Sequence, residues 1–197
     1  MDALIARLKE RLQFAPAVEG DKHCVRSNDR GEILPPRKPN QTISLADVDS
    51  VEQQLGFRLP TILRRLSTEV ADGGYGPDWG INRLKHPPNY PFGPFWDVEM
   101  SAESWHRLYR EADDEESRKW LASYPQNYIR YCECGCNISI GVDCATDAGK
   151  LLVDDPNESE SPAGGLKPLS ESIEEWLWKW LEQPWPTTTY SSLYQGR

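Results

Sequence analysis

The chain has 197 residues and a formal net charge of −9, with no apolar stretch approaching the roughly 18 residues that a membrane span needs. That length accommodates one well-buried domain, and an acidic chain repels phosphate backbones, which disfavours nucleic-acid binding. Hydrophobic residues make up only 38% against 16 prolines, so long loops surround the core, and eight Trp and eight Tyr supply much of its burial.

The acidity is uneven: residues 1–43 hold 8 Lys/Arg and 6 Asp/Glu, whereas residues 111–197 hold 7 and 16. An acidic half attracts basic partners and speeds their encounter, although acidity for solubility alone is common.

At the start, Leu4, Ile5, Leu8 and Leu12 place an apolar face on a helix over Met1–Leu12. It lacks the continuous apolar core and small-residue cleavage site of a signal peptide, so a cytoplasmic location is expected. The N-x-S sequons at Asn137 and Asn157 then carry no meaning. Residues 15–43 are rich in Pro, Gly, Asn and charge and read as a loop or short hairpin. PPRKP at 35–39 is an extended linker before it is a recognition motif.

Ser44 caps the next helix, with Asp47 three residues on to complete a capping box. Leu45, Val48, Glu52 and Leu55 follow helical spacing, and Gly56 supplies the left-handed stop. Pro60 opens a second helix at its first position, with Leu59, Leu63, Leu66 and Val70 as its stripe. Gly73–Gly74 end it, and Trp79–Leu84 reads as a strand. The proline-dense HPPNYPFGPFW at 86–96 is a rigid aromatic loop, suited equally to a contact surface and to covering a core. Ser101 and Glu103 begin a helix with Trp105, Leu108, Tyr109 and Ala112 inward. The acidic run Asp113–Glu116 breaks or re-caps it, and a second short helix carries Trp120 and Leu121.

Strands are expected over Tyr128–Cys134, Asn137–Asp143 and Lys150–Val153, with a tight turn at Asp147–Gly149. In the middle one, Ile138, Ile140 and Val142 point one way. Residues 154–168 read as a polar loop. Ile173, Trp176, Leu177, Trp180 and Leu181 then define a core-facing helix, with Ser172 and Glu175 as its capping box and Ser170 as an alternative cap. Pro184 and Pro186 close it, and a polar tail follows.

The arrangement E..LG..LP, an apolar helix, GG and an aromatic is carried here by Glu52, Leu55, Gly56, Leu59, Pro60, Gly73, Gly74 and Trp79. It resembles the SUKH superfamily, which contains fungal cell-wall synthesis regulators and bacterial immunity proteins of polymorphic toxin systems. CECGCNISIGVDCATDAGKLLVDDP and the Trp-rich last helix are similar to the family's later elements, although CECGC carries extra cysteines. The resemblance covers roughly residues 44–182 and leaves the first 43 outside it. It implies a protein that works by binding another protein.

Reactive chemistry has one foothold in the pattern. Cys132, Cys134, Cys136 and Cys144 form C-x-C-x-C-x7-C, far from His23–Cys24. Alternate residues of a strand lie about 7 Å apart, too far to close easily on one zinc ion without a bend at Gly135, so buried thiols are expected instead. The three histidines, His23, His86 and His106, are far apart in sequence, and no G-x-S-x-G, HExxH, P-loop or G-x-G-x-x-G occurs. Asp143 and Asp147 read as strand-end and turn residues, not as a catalytic pair.

The expectation is therefore α+β: one antiparallel, twisted sheet of about five or six strands with helices around it. Residues 1–43 would be an extension, 44–183 the domain and 184–197 a flexible tail. The function expected is non-enzymatic and without cofactor: an immunity-type protein that binds a partner protein, such as a basic toxin domain, and occludes it. A scaffold or regulatory adaptor is the alternative, and a small zinc-dependent or hydrolytic enzyme the third. The expected contact residues are Tyr75, Asp78, Trp79, Trp96, Asp97, Asp113, Asp114, Glu115 and Glu116, the aromatics as anchors and the carboxylates as partners for basic groups.

Overall fold

A computed structural model describes residues 1–14, 38–77, 80–85, 102, 114–115, 118–119, 122–135, 138–155, 157 and 166–182. Helix α1 spans Asp2–Phe14. Its Leu4, Ile5 and Leu8 are buried, with Leu12 partly so, as the spacing predicts. Helix α2 spans Leu45–Leu55, and both halves of its capping box form. The Asp47 amide donates to Ser44 Oγ at 3.1 Å, and the Ser44 amide donates to the Asp47 carboxylate at 3.0 Å. Gly56 ends the helix at φ 82°, which only glycine adopts without strain. The buried stripe runs through Val48, Val51 and Leu55, so Leu45 is left 60% exposed at the helix entrance.

Pro60 occupies the N-cap of α3 (Thr61–Arg65), one position earlier than expected. Without a side-chain donor or acceptor it cannot cap the helix. A carboxylate 86 residues away does so: Asp147 Oδ1 accepts from the Thr61 amide at 2.7 Å and from Thr61 Oγ1 at 2.8 Å. The helix then widens into a single π turn, Leu66–Val70, closed by the Ala71 amide to the Leu66 carbonyl at 3.0 Å. It therefore ends at Val70, before the glycine pair.

The sheet is antiparallel throughout in the order β1-β2-β3-β4, with β1 Tyr128–Gly135, β2 Ile138–Asp143, β3 Lys150–Asp154 and β4 Leu166–Ser172. Of the strand expected at Trp79–Leu84, residues 80–84 are described, and among them Ile81 makes an isolated antiparallel bridge to Cys132 on the β1 edge in place of a strand. Strand β4 takes the last three residues of the loop expected over 154–168 and continues to the last helix, while 156 and 158–165 lie outside the described residues. Its Pro168 pairs opposite Leu152 at the outer edge, where a missing N–H is tolerated. The rows Ile129/Val142/Leu151 and Cys132/Ile140/Val153 are buried and join the helices in one core.

Helix α4 spans Ile173–Glu182 and buries the five expected residues, including Trp176 and Trp180. Its start is capped by Ser172 and Glu175, at 2.8 and 3.2 Å, while Ser170, the alternative cap, lies within β4. Helix α1 packs against α4 and the π turn. The architecture is α+β, one antiparallel sheet with helices on it. No described helix is long and apolar enough to cross a membrane. The helices expected from Ser101 and around Trp120 lie mostly outside the described residues; Ala102 is helical and buried, and Glu115, Arg118 and Lys119 are helical and exposed. The aromatic loop at 86–96 and the tail also lie outside them.

Candidate functional site

The expected contact residues divide sharply. Asp114 and Glu115 are exposed, and Glu115 reaches Lys119 one helical turn on, at 2.7 Å. Tyr75 corrects the expectation: its side chain is 0% exposed and its phenol is pushed upward in pKa by burial, so it is a core residue. The physical reason is the backbone around it, where Gly73, Gly74 and Gly76 all have positive φ and turn the chain inward. Asp78, Trp79, Trp96, Asp97, Asp113 and Glu116 lie outside the described residues.

That glycine-rich turn forms a junction of three chain segments. The Asp72 carboxylate accepts from the Leu84 amide at 2.8 Å and the Lys85 amide at 3.3 Å. Burial raises its pKa above the ordinary value, opposed by those amides. Asn40 donates from Nδ2 to the Asp72 carbonyl at 2.7 Å, and its own amide donates to the Gly73 carbonyl at 3.1 Å. Gly73 lies so close to Ile81–Arg83 that a Cβ would stand 2.6 Å from the Arg83 nitrogen. The glycine pair thus lets two backbones touch. From the junction the chain reaches the β1 edge, where the Asn82 amide donates to the Tyr131 carbonyl at 2.7 Å. The Gly80 amide closes a turn onto the Pro77 carbonyl at 2.9 Å.

A second polar assembly occupies the sheet face opposite the helices. In a regular strand Arg130 and Glu133 would face opposite sides. The bulge between Arg130 and Cys132 places them on the same side. They pair through two contacts, Nε to Oε1 at 2.6 Å and Nη2 to Oε2 at 2.9 Å. Glu133, Ser139 and Asp154 stand in one row across β1, β2 and β3. Tyr124 donates its hydroxyl to Asp154 at 2.6 Å and lies 4.9 Å, centroid to centroid, from the Tyr128 ring. A Cβ on Gly141 would come within 2.1 Å of that ring, so glycine is required beneath it. Burial raises the pKa of both Glu133 and Asp154, and Arg130 opposes the rise in each. Sequence reading missed this assembly, since only the bulge and the register bring its members together.

Among the described cysteines, Cys132 and Cys144 are buried and Cys134 is half-buried. Cys132 pairs opposite Ile140, and Cys144 lies four residues further along the chain, on the order of 13 Å along the strand direction. The Cys132 thiol donates to the Pro77 carbonyl at 3.5 Å, and burial raises the Cys144 thiol's pKa. Among the described residues no group of three or more His, Cys, Asp or Glu converges as a metal site. Cys136, of the alternative ligand set, lies outside them. Asp143 and Asp147 serve the turn and the α3 cap, accepting from the Ala145 and Thr61 amides. The hydroxyl–carboxylate contacts at Ser44–Asp47 and Thr61–Asp147 are likewise capping contacts.

These elements now explain the motif residues physically. Glu52 accepts from the Leu59 amide at 2.8 Å and from Arg64 at 2.5 Å, which fixes the corner between α2 and α3 around Gly56 and Pro60. Gly73 and Gly74 form the backbone crossing. No curated protein matches the chain. The family described as SMI1 / KNR4 (SUKH-1) matches residues 42–179, which takes in α2, the junction apart from Asn40, all four strands and most of α4. The chain therefore belongs to the SMI1/KNR4 (SUKH-1) family.

Proposed function

We propose that the chain is an immunity-type protein that binds a cognate toxin and neutralises it by covering its working surface. The observation that carries this reading is family membership across residues 42–179. The described chemistry agrees with it in kind. Carboxylates such as Glu52, Asp72 and Asp147 are occupied with backbone amides and helix caps. Exposed Asp114 and Glu115 belong to the acidic half, which suits a basic partner. The protein acts without catalysis or cofactor, in the cytoplasm, on another protein and not on nucleic acid or a membrane.

Co-expression with the product of the neighbouring reading frame tests the reading. A stable complex and rescue of that product's toxicity are expected. A neighbour that is not toxic and forms no complex overturns it. A regulatory adaptor is the second reading, since the superfamily that the chain resembles also contains fungal cell-wall synthesis regulators. An adaptor binds its partner but rescues no growth defect, so the same experiment separates the two.

A further inference from the structure

The matched family span begins at residue 42, yet α1 lies at residues 2–14 and buries Leu4 and Leu8 completely. Its main packing partners are α4 and the π turn. Trp180, Leu177 and Ile173 of α4 and Leu66 of the π turn are buried in the same apolar cluster as Leu4, Ile5 and Leu8. The rim of this contact is polar and directional. Asp2 pairs with Arg65 at 2.6 Å, on the last turn of α3. At the other end Arg11 lies 4.2 Å above the Trp180 ring and donates to the Leu181 carbonyl at 3.4 Å, covering the C-terminal end of α4. An acidic residue at the start of α1, three apolar residues at i, i+1 and i+4, and a basic residue near its end are read at separate places. That is how an amphipathic helix in a groove is recognised.

We propose that the cleft between α4 and the π turn is a helix-binding groove and that α1 is its tethered ligand, docked on a domain that holds its sheet without it. The partner chemistry is an amphipathic helix of the α1 pattern, and the occupant is this chain's own α1. The covalent link raises its local concentration and excludes competitors. This inference is independent of the toxin-binding reading, because it concerns the chain's own segment.

The test uses the full chain with Leu8→Asp, which puts a carboxylate at a site that is 0% exposed. Two quantities are measured: amide hydrogen exchange, and anisotropy of a labelled peptide with the sequence of residues 1–14. The α1 amides should lose protection while those of β1, β2 and β3 stay within about threefold of the parent. The peptide should bind the variant at least about tenfold more tightly than the parent, whose groove is filled. Loss of sheet protection in step with α1 overturns the proposal, and so does an intact sheet that takes up no peptide. Arg11→Ala is the second variant, since it removes the Trp180 and Leu181 contacts without burying a charge. It should raise α1 exchange and give intermediate peptide uptake, and unchanged α1 protection counts against the groove.

Discussion

Gly73→Ala is the sharpest probe of the junction. The residue sits at φ +75°, and an added Cβ would meet the Arg83 nitrogen at 2.6 Å, the Asn82 carbonyl carbon at 2.7 Å and the Ile81 oxygen at 2.7 Å. All three neighbours are backbone, so no side chain can swing aside. The left-handed conformation costs about 1–2 kcal/mol for a residue with a Cβ, and forcing atoms into a packed site adds about 1–3 kcal/mol. The sum, roughly 2–5 kcal/mol, is a large share of the 5–15 kcal/mol that typically holds a domain. For a chain of this size it lowers Tm by about 4–20 °C. Urea unfolding followed by Trp fluorescence measures it, with an unchanged m-value showing that the loss lies in the native state. Gly149→Ala is the control: its φ is +58°, but its new Cβ would meet side-chain atoms of Ile173, Pro60 and Val142 at 3.0–3.2 Å, which can yield. The argument is refuted if Gly73→Ala costs no more than Gly149→Ala, for then the crossing is not as rigid as the geometry makes it.

Asp154→Asn keeps an acceptor for Tyr124 and removes a buried charge. The folded pKa of Asp154 is raised above 3.8, so the folded chain holds that proton more tightly and the group's contribution to stability falls as pH rises past 3.8. The variant should therefore gain on the parent with rising pH and level off above the folded pKa; a difference that is flat or reversed across that range contradicts the burial. Asp147→Ala should lower the midpoint of a denaturant titration through the loss of a helix cap, even though Asp147 and Thr61 are 86 residues apart. Thr61→Ala, which keeps the amide contact, should cost less; equal losses would place the effect in the hydroxyl. Dialysis against a chelator should leave Tm unchanged, because Cys132 and Cys144 stand about 13 Å apart along the sheet. Stoichiometric zinc retained through dialysis, found by elemental analysis, would restore the metal reading.

What was legible in the sequence was local. Ser44 with Asp47, Ser172 with Glu175, Gly56, and the Trp176/Trp180 stripe each depend on contacts within a turn or two, and each stands where the spacing puts it. Strand β4 was hidden because LKPLSES carries a proline, two charges and little alternation, and only its outer-edge position makes that acceptable. The π turn was equally hidden, since nothing in LSTEV distinguishes a five-residue closure from an α-helical one. Tyr75 was misassigned because an aromatic after two glycines fits a surface loop as well as an inward turn. The backbone crossing at Gly73 decides between them. The Arg130–Glu133 pair needed the bulge, which moves a strand's period out of register without leaving a mark in composition.

The placement of the carboxylates bears on the charge argument for a basic partner. The C-terminal half is acidic in sequence, but Asp154 and Asp155 are 7% and 4% exposed, and Glu133 is tied to Arg130. Asp147 caps α3, and Glu171 pairs with Lys179. These carboxylates are engaged with buried polar groups, amides or cations, which ties them to folding before any partner arrives. Among the described residues of the C-terminal half, the exposed carboxylates that can act on a partner are Asp114, Glu115, Asp147, Glu175 and Glu182. Two of them precede β1, one lies between β2 and β3, and two lie on the last helix. Charge reversal at Asp114 and Glu115 should then slow association without changing dissociation, while the same change at Glu175 would also remove the cap of α4. The two outcomes separate a charge used for encounter from a charge used for folding.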